Sequence, residues 1–181
     1  MAAVAEVDVV VIGAGAAGLM CAATAAYQGH RVLLLDHANK AGKKILMSGG
    51  GRCNFTNLNT TPEHFVSANP HFCKSALKRY TPWHFLELVE RHGVEHVEKA
   101  PGQLFCADSA KALLAVLLTE CEWAGAEIQL DTGIRRVVRT DSGFELTTTR
   151  ETVRCQSLVV ACGGLSIPTM GASGFGYQLA E

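Results

Sequence analysis

The sequence predicts an α/β fold built on a parallel central sheet, and three observations predict it. An apolar run at residues 7–12, VDVVVI, leads into a six-residue glycine turn and a small-residue segment. A second apolar run, RVLLL at 31–35, follows that segment. A third, SLVVA at 157–161, opens into another glycine turn. Continuous β-branched runs suit parallel strands covered on both faces. A strand–helix–strand unit of this kind gives a parallel pair.

The remaining elements follow in order. A small-residue helix over 19–28 stops at Gly29, and Asp36 closes the second strand. Residues 42–57 form a glycine-rich, basic loop. One helical segment lies within 70–80. Another starts at Thr81, an N-cap with Pro82 at the first helical position, and ends at Gly93. Residues 55–105 read as a helical excursion without an internal repeat. Ser109 caps a helix that ends at Gly125. A strand at 127–130 precedes a hairpin, 134–139 with 144–149, around Asp141-Ser142-Gly143. The closing GFGYQLAE resembles the start of a helix cut off in its second turn, which cannot hold itself. The chain is therefore expected to be the front part of a longer protein.

Composition narrows the function. The 181 residues suffice for one domain. Apolar residues make up 48% and charged residues 18%, a globular balance. The net charge is -1, with no block of like charge. Lys43, Lys44 and Arg52 are the one local basic group, too few for a polyanion track. The expected partner is a small-molecule substrate, not nucleic acid. Seven scattered cysteines, none spaced C-x-x-C, argue against disulfides and zinc and suit the cytoplasm. No bound metal is expected: among His84, His92 and His96 the last two are four apart, but Gly93 interrupts their helix. Glu6 and Asp8 break the apolar N-terminus, and no stretch approaches the roughly 20 apolar residues that cross a bilayer.

Gly13-Ala14-Gly15-Ala16-Ala17-Gly18 is a G-x-G-x-x-G turn between strand and helix, the setting in which that motif binds a dinucleotide. Gly13 permits the tight turn, Gly15 lets backbone approach a pyrophosphate, and Gly18 lets helix and sheet pack closely. Amides at the helix start, Ala16 and Ala17 among them, face the phosphates. Asp36 stands where an acidic side chain meets a ribose hydroxyl, which disfavours a 2′-phosphate at this turn. The fold expected is thus Rossmann-like. The alternative is that the glycines serve turn and packing alone.

A plain NAD domain needs no more than this, yet the chain adds GKKILMSGGGRCNFTN at 42–57. Its three consecutive glycines can press against a flat or charged ligand. Together, VVIGAGAAGLMCA, GKKILMSGGGRCNFTN and VVACGGLSIPTMGASGFGY resemble the BaiN/YhiN-type flavoproteins, also called the aminoacetone oxidase family. The resemblance covers the whole chain. It implies a glutathione-reductase-like FAD-binding fold with an accessory β-meander, here truncated. An inserted substrate domain and a returning C-terminal FAD segment would lie outside the chain. By position it implies Gly13, Gly15, Ala16, Ala17 and Gly18 at the FAD pyrophosphate and Asp36 at the adenosine ribose. Lys44, Gly50, Gly51, Arg52, Cys53 and Asn54 would run beside pyrophosphate, ribityl and flavin. Ile134 would meet adenine through its backbone. Ala161-Cys162-Gly163-Gly164 would approach FAD where relatives have Ala-Thr-Gly-Gly.

The chemistry implied is hydride or electron transfer through FAD. Either NAD(P)H reduces an unsaturated or carbonyl-bearing molecule, or an amine is oxidised by oxygen. Cys53 sits where flavin disulfide reductases place a redox cysteine, but the partner position holds Leu58; a packing role competes. No residue stands out as acid or base, and the chain alone is expected to be inactive. Two rivals remain: an NAD-dependent dehydrogenase and a non-catalytic flavin-binding module.

Overall fold

The apolar run at 7–12 forms the carboxyl half of a longer strand. The structure, a computed structural model, describes residues 4–167 and 172–181. In chain order its first elements are β1 (Val4–Ile12), α1 (Ala16–Tyr27), β2 (Val32–Leu35), α2 (Lys43–Met47), β3 (Asn54–Asn57) and α3 (Lys74–Arg79). Then come α4 (Pro82–Arg91), β4 (His96–Ala100), β5 (Gln103–Cys106), α5 (Ala110–Ala124) and β6 (Glu127–Gln129). The chain closes with β7 (Ile134–Thr140), β8 (Gly143–Thr148), β9 (Thr152–Val160) and α6 (Phe175–Ala180). Two units divide them: Met1–Lys44 with Leu117–Glu181, and Ile45–Val116.

The first unit holds a six-stranded sheet in the order β6-β2-β1-β9-β8-β7. β1 pairs in parallel with β2 on one side and with β9 on the other, and β2 pairs in parallel with β6. β7, β8 and β9 form an antiparallel meander. The expected Rossmann-like parallel sheet with an accessory meander is therefore present, with the meander joined through β9 into the same sheet. Alternate residues decide the faces. Val10, Ile12, Leu33 and Leu35 meet Leu146, Val153 and Cys155 in one core cluster. On α1, Gly18, Leu19, Ala22, Ala23 and Ala26 are buried at helical spacing. These short side chains let the helix lie close to the strands. The Cys121 thiol donates to Leu19 O at 3.2 Å, and burial pushes its pKa up to about 11.

The carboxyl end of β9 departs from expectation. SLVVA reads as buried on both faces, but Leu158 packs on the core from one side while Val160 is exposed. A continuous apolar run cannot distinguish one covered face from two.

The second unit carries an antiparallel three-stranded sheet, β3-β5-β4. The expected helical excursion over 55–105 is corrected here: α3 and α4 form, but so do β4 and β5. HVEKA in β4 is mostly charged or polar and QLFC in β5 is short, so neither carries a strong period-2 signal. Between them Gly102 takes φ +80°, the turn conformation that a Pro-Gly pair favours. One local pattern recurs at two helix starts of this unit. Thr61-Pro62-Glu63-His64-Phe65 and Thr81-Pro82-Trp83-His84-Phe85 share one sequence pattern and one device. In each, the threonine N–H donates to the histidine Nδ1, at 2.9 Å and 3.0 Å. Both are capping boxes with histidine where Glu or Gln is usual. His84 is thus a helix cap, and His96 approaches Glu90 at 3.9 Å.

Leu146 is fully enclosed in the first unit's core. Leu146→Ala should lower unfolding stability by about 2–5 kcal/mol through lost contact and a residual cavity. Urea unfolding checks it; a loss under about 1 kcal/mol would mean that the meander is not packed as described.

Candidate functional site

Three contacts fix the glycine turn after β1. Gly13 N donates to Leu35 O at 2.8 Å, anchoring the turn to β2. Gly13 takes φ +109°, and a Cβ there would lie 2.5 Å from Ala161 O and 2.8 Å from Cys162 Cα. A Cβ on Gly18 would run into the Gly13 carbonyl oxygen. Both positions exclude a side chain: the first turn of α1 packs against the loop that precedes it, and that loop packs against the end of β9.

Gly15 differs. As the N-cap of α1 it takes φ -87° and ψ -172°, brings no side-chain cap, and has open space where a Cβ would stand. Its φ does not demand glycine, nor does any neighbour. Helix geometry leaves the first-turn N–H groups without intrahelical partners, and Ala16 and Ala17 are exposed. The result is a bare, positively polarised helix end with a clear approach, the arrangement that binds an anion.

Asp36 holds this turn from the side. Its Oδ2 accepts from Ala14 N at 2.7 Å and its Oδ1 from Ala38 N at 2.8 Å. The side chain is 15% exposed. Sequence position suggested a ribose contact; what the structure shows is a clamp on the loop. Each carboxylate oxygen retains a further lone-pair direction for a hydroxyl.

A cavity of about 270 Å³ opens at the carboxyl ends of β1 and β2. Gly13, Asp36 and Ile134 line it together, with Thr132, Cys162 and Phe175. It suits one end of a dinucleotide rather than the whole. Thr132, not anticipated individually, is almost fully buried; its N–H donates to Asp36 O at 2.9 Å and its hydroxyl to Leu130 O at 3.0 Å. Its signal was its place in Asp131-Thr132-Gly133.

Lys44 joins the first unit, where Nζ donates to Ser166 Oγ at 2.9 Å and Gly164 O at 3.4 Å. It thereby stands beside the turn holding Gly163, whose φ is +77°. The quoted stretch after that turn includes residues 168–171, which lie outside the described residues.

The triple-glycine stretch belongs to the second unit. Residues 43–51, expected as loop, are α2 followed by a 3-10 turn over Ser48–Gly51. Gly49, Gly50 and Gly51 all take left-handed φ, +57°, +67° and +85°. Gly49 is committed internally, since a Cβ would lie 2.8 Å from Phe105. Gly50 has open space and Gly51 nearly so, so this pair presents bare backbone. Arg52 is exposed while its carbonyl accepts from Cys106 N at 2.9 Å. With its amide turned to donate, Asn54 reaches Leu104 O and Thr56 O, both at 3.1 Å, and so braces β3 on β5. Cys53 is buried in a left-handed conformation, φ +48°. Burial pushes its thiol pKa up, and a hydrogen bond with Ser48 offsets this only in part. A protonated, enclosed thiol is a poor nucleophile.

A family profile described as HI0933-like protein Rossmann domain matches residues 7–181. The chain belongs to the HI0933-like Rossmann family. Its sequence is 52% identical over 174 residues to the "Ribosomal RNA dihydrouridine synthase" of Escherichia coli (strain K12), covering 96% of this chain and 44% of that protein. It is 29% identical over 175 residues to the "3-dehydro-bile acid delta(4,6)-reductase" of Clostridium scindens, covering 94% of this chain and 42% of that protein. The HI0933-like chain thus spans under half the length of these curated relatives. In fold it resembles the 3-ketosteroid-delta4-(5alpha)-dehydrogenase of Rhodococcus jostii RHA1, with a TM-score of 0.65 at 19% identity over 89% of this chain and 46% of that one.

These findings adjust two expectations. The resemblance holds at the level of the HI0933-like family; the names of these relatives do not single out aminoacetone oxidase. The exclusion of nucleic acid does not stand beside a half-identical relative named for ribosomal RNA. No helix among the described residues is long and apolar enough to cross a membrane.

Gly18→Ala should cost about 1–3 kcal/mol, because its Cβ has nowhere to go. Gly15→Ala should cost less than about 1 kcal/mol, the ordinary difference at an N-cap. Urea unfolding of both variants checks this; equal losses would contradict the geometry of the turn.

Proposed function

We propose that the protein carrying this chain binds FAD and uses it, with NAD(P)H as electron donor, to reduce a carbon–carbon double bond conjugated to a carbonyl. The substrate we propose is uridine in ribosomal RNA. The observation that carries the cofactor reading is the uncapped start of α1 with open ground before Gly15. Gly13, Gly15, Ala16, Ala17 and Gly18 would hold the diphosphate, and Asp36 and Ile134 the adenosine end. Lys44, Ala161 and Gly163 would form the rest of the first unit's contribution. The proposal keeps Gly50, Gly51, Arg52, Cys53 and Asn54 as cofactor residues on their loop's own geometry. There Gly50 and Gly51 offer backbone, Arg52 a charge, and Cys53 and Asn54 hold the loop's shape.

The relatives' names support the reaction class. Dihydrouridine is uridine with hydrogen added across C5=C6, a bond conjugated to the C4 carbonyl. A delta(4,6)-reductase of a 3-oxo steroid acts on a double bond conjugated in the same way. Bound flavin supplies two-electron hydride chemistry. The balance is NAD(P)H, one proton and uridine going to NAD(P)+ and dihydrouridine. This chain's part is to bind and orient the cofactor; none of its side chains is assigned the proton. Seven free cysteines support a reducing, cytoplasmic setting.

Two measurements test this reading. The purified protein should show flavin absorption, and Gly15→Val should lose the flavin while staying folded, melting close to wild type stripped of its flavin. A colourless wild type would favour the NAD-dependent dehydrogenase instead. Incubation with NAD(P)H and unmodified ribosomal RNA should produce dihydrouridine; flavin reduction without that product would overturn the substrate assignment.

A further inference from the structure

The second unit carries a surface outside the residues proposed for the cofactor. Residues 64–86 contain Lys74, Lys78 and Arg79 and no Asp or Glu, in a chain whose net charge is -1. Buried Cys73 and half-buried Leu77 mark the inward side of α3. At about 3.6 residues per turn, Lys78 and Arg79 fall on the opposite side, around Ser75, and Lys74 on the flank; all three are exposed. Exposed aromatic rings flank them in sequence: Phe65 is 47%, Phe72 77% and Trp83 60% exposed. A single exposed ring is ordinary. Three exposed rings within ten residues of an acid-free cationic turn suit a strand whose backbone is anionic and whose bases stack.

We propose that Phe65, Phe72, Lys74, Lys78, Arg79 and Trp83 form a docking surface for unpaired RNA, with the cations on phosphates and the rings against bases. The proposal rests on the reading of ribosomal RNA as substrate and deepens it. Charge favours RNA over an apolar cover: burying three cations under protein without matching carboxylates is costly, whereas a polyanion neutralises them and releases its counterions. Acids bound the surface. Glu63 borders it on one side, its carboxyl held below the ordinary range by a hydrogen bond with Thr61 and, more weakly, by the charge of Lys74. Glu87 on α4 follows the acid-free stretch on the other.

The test uses the whole protein and a short single-stranded, uridine-rich RNA, with affinity measured against salt concentration. The triple variant Lys74→Gln, Lys78→Gln, Arg79→Gln should reduce the slope of log affinity on log salt by about 2, from roughly 0.7 for each lost phosphate contact. Phe72→Ala should weaken binding roughly tenfold and leave the slope unchanged. Arg139→Gln, on the edge strand β7, serves as control and should bind as wild type. In turnover, the triple variant should raise KM for RNA and leave kcat unaltered. Wild-type affinity and slope in the triple variant, or no RNA binding by wild type, overturns the docking surface. So does a Phe72→Ala protein that melts earlier but binds RNA normally, which would mean that another part of the protein covers the face. If wild type binds RNA and the slope falls as expected, yet no dihydrouridine forms, the docking surface stands and the substrate reading fails.

Discussion

The Asp36 carboxylate, accepting from Ala14 N and Ala38 N, fixes the loop on which the first unit's site depends. It ties the end of β2 to the turn after β1. Gly13 then lies against Ala161 and Cys162 at the end of β9, and Gly18 against Gly13. Three strand ends and one helix start are thereby held by main-chain contacts with no room for a side chain. The polarised end of α1 is thus preset rather than formed on binding, which spares a ligand the cost of ordering it. A half-buried carboxylate with both oxygens hydrogen-bonded is also a stiff support, since each bond fixes one oxygen against the backbone.

Much of the first unit was legible because its physics is local. The glycine spacing, the β-branched runs and the turn at residues 141–143 each dictate their own geometry. The clamping role of Asp36 was not legible. Its position marks the end of a strand, but only the fold brings Ala14 N within reach, 22 positions away in sequence. Lys44 was similarly grouped with its basic neighbours, while the structure sets it beside Gly164 and Ser166. Long-range pairing of this kind leaves no periodic trace.

The second unit was read less well, for a different reason. Its strands are short and partly charged, so the helical signals of α3 and α4 dominated. The histidine caps escaped because a capping box is sought with Glu or Gln at its third position; His64 and His84 fill that place through Nδ1. The acid-free stretch around α3 was also invisible to overall charge, because acids elsewhere in the chain cancel it. Net charge speaks for a whole chain, whereas a docking face is a local property.

The central claim is that main-chain amides at the start of α1 grip a diphosphate. The most direct measurement is the amide NMR spectrum of the flavin-free protein during titration with ADP, the fragment of FAD that this turn would hold. The account predicts that the amides of Gly15, Ala16, Ala17 and Gly18 shift together and saturate, with Ile134 following. Saturable shifts elsewhere with those four amides unmoved would contradict it.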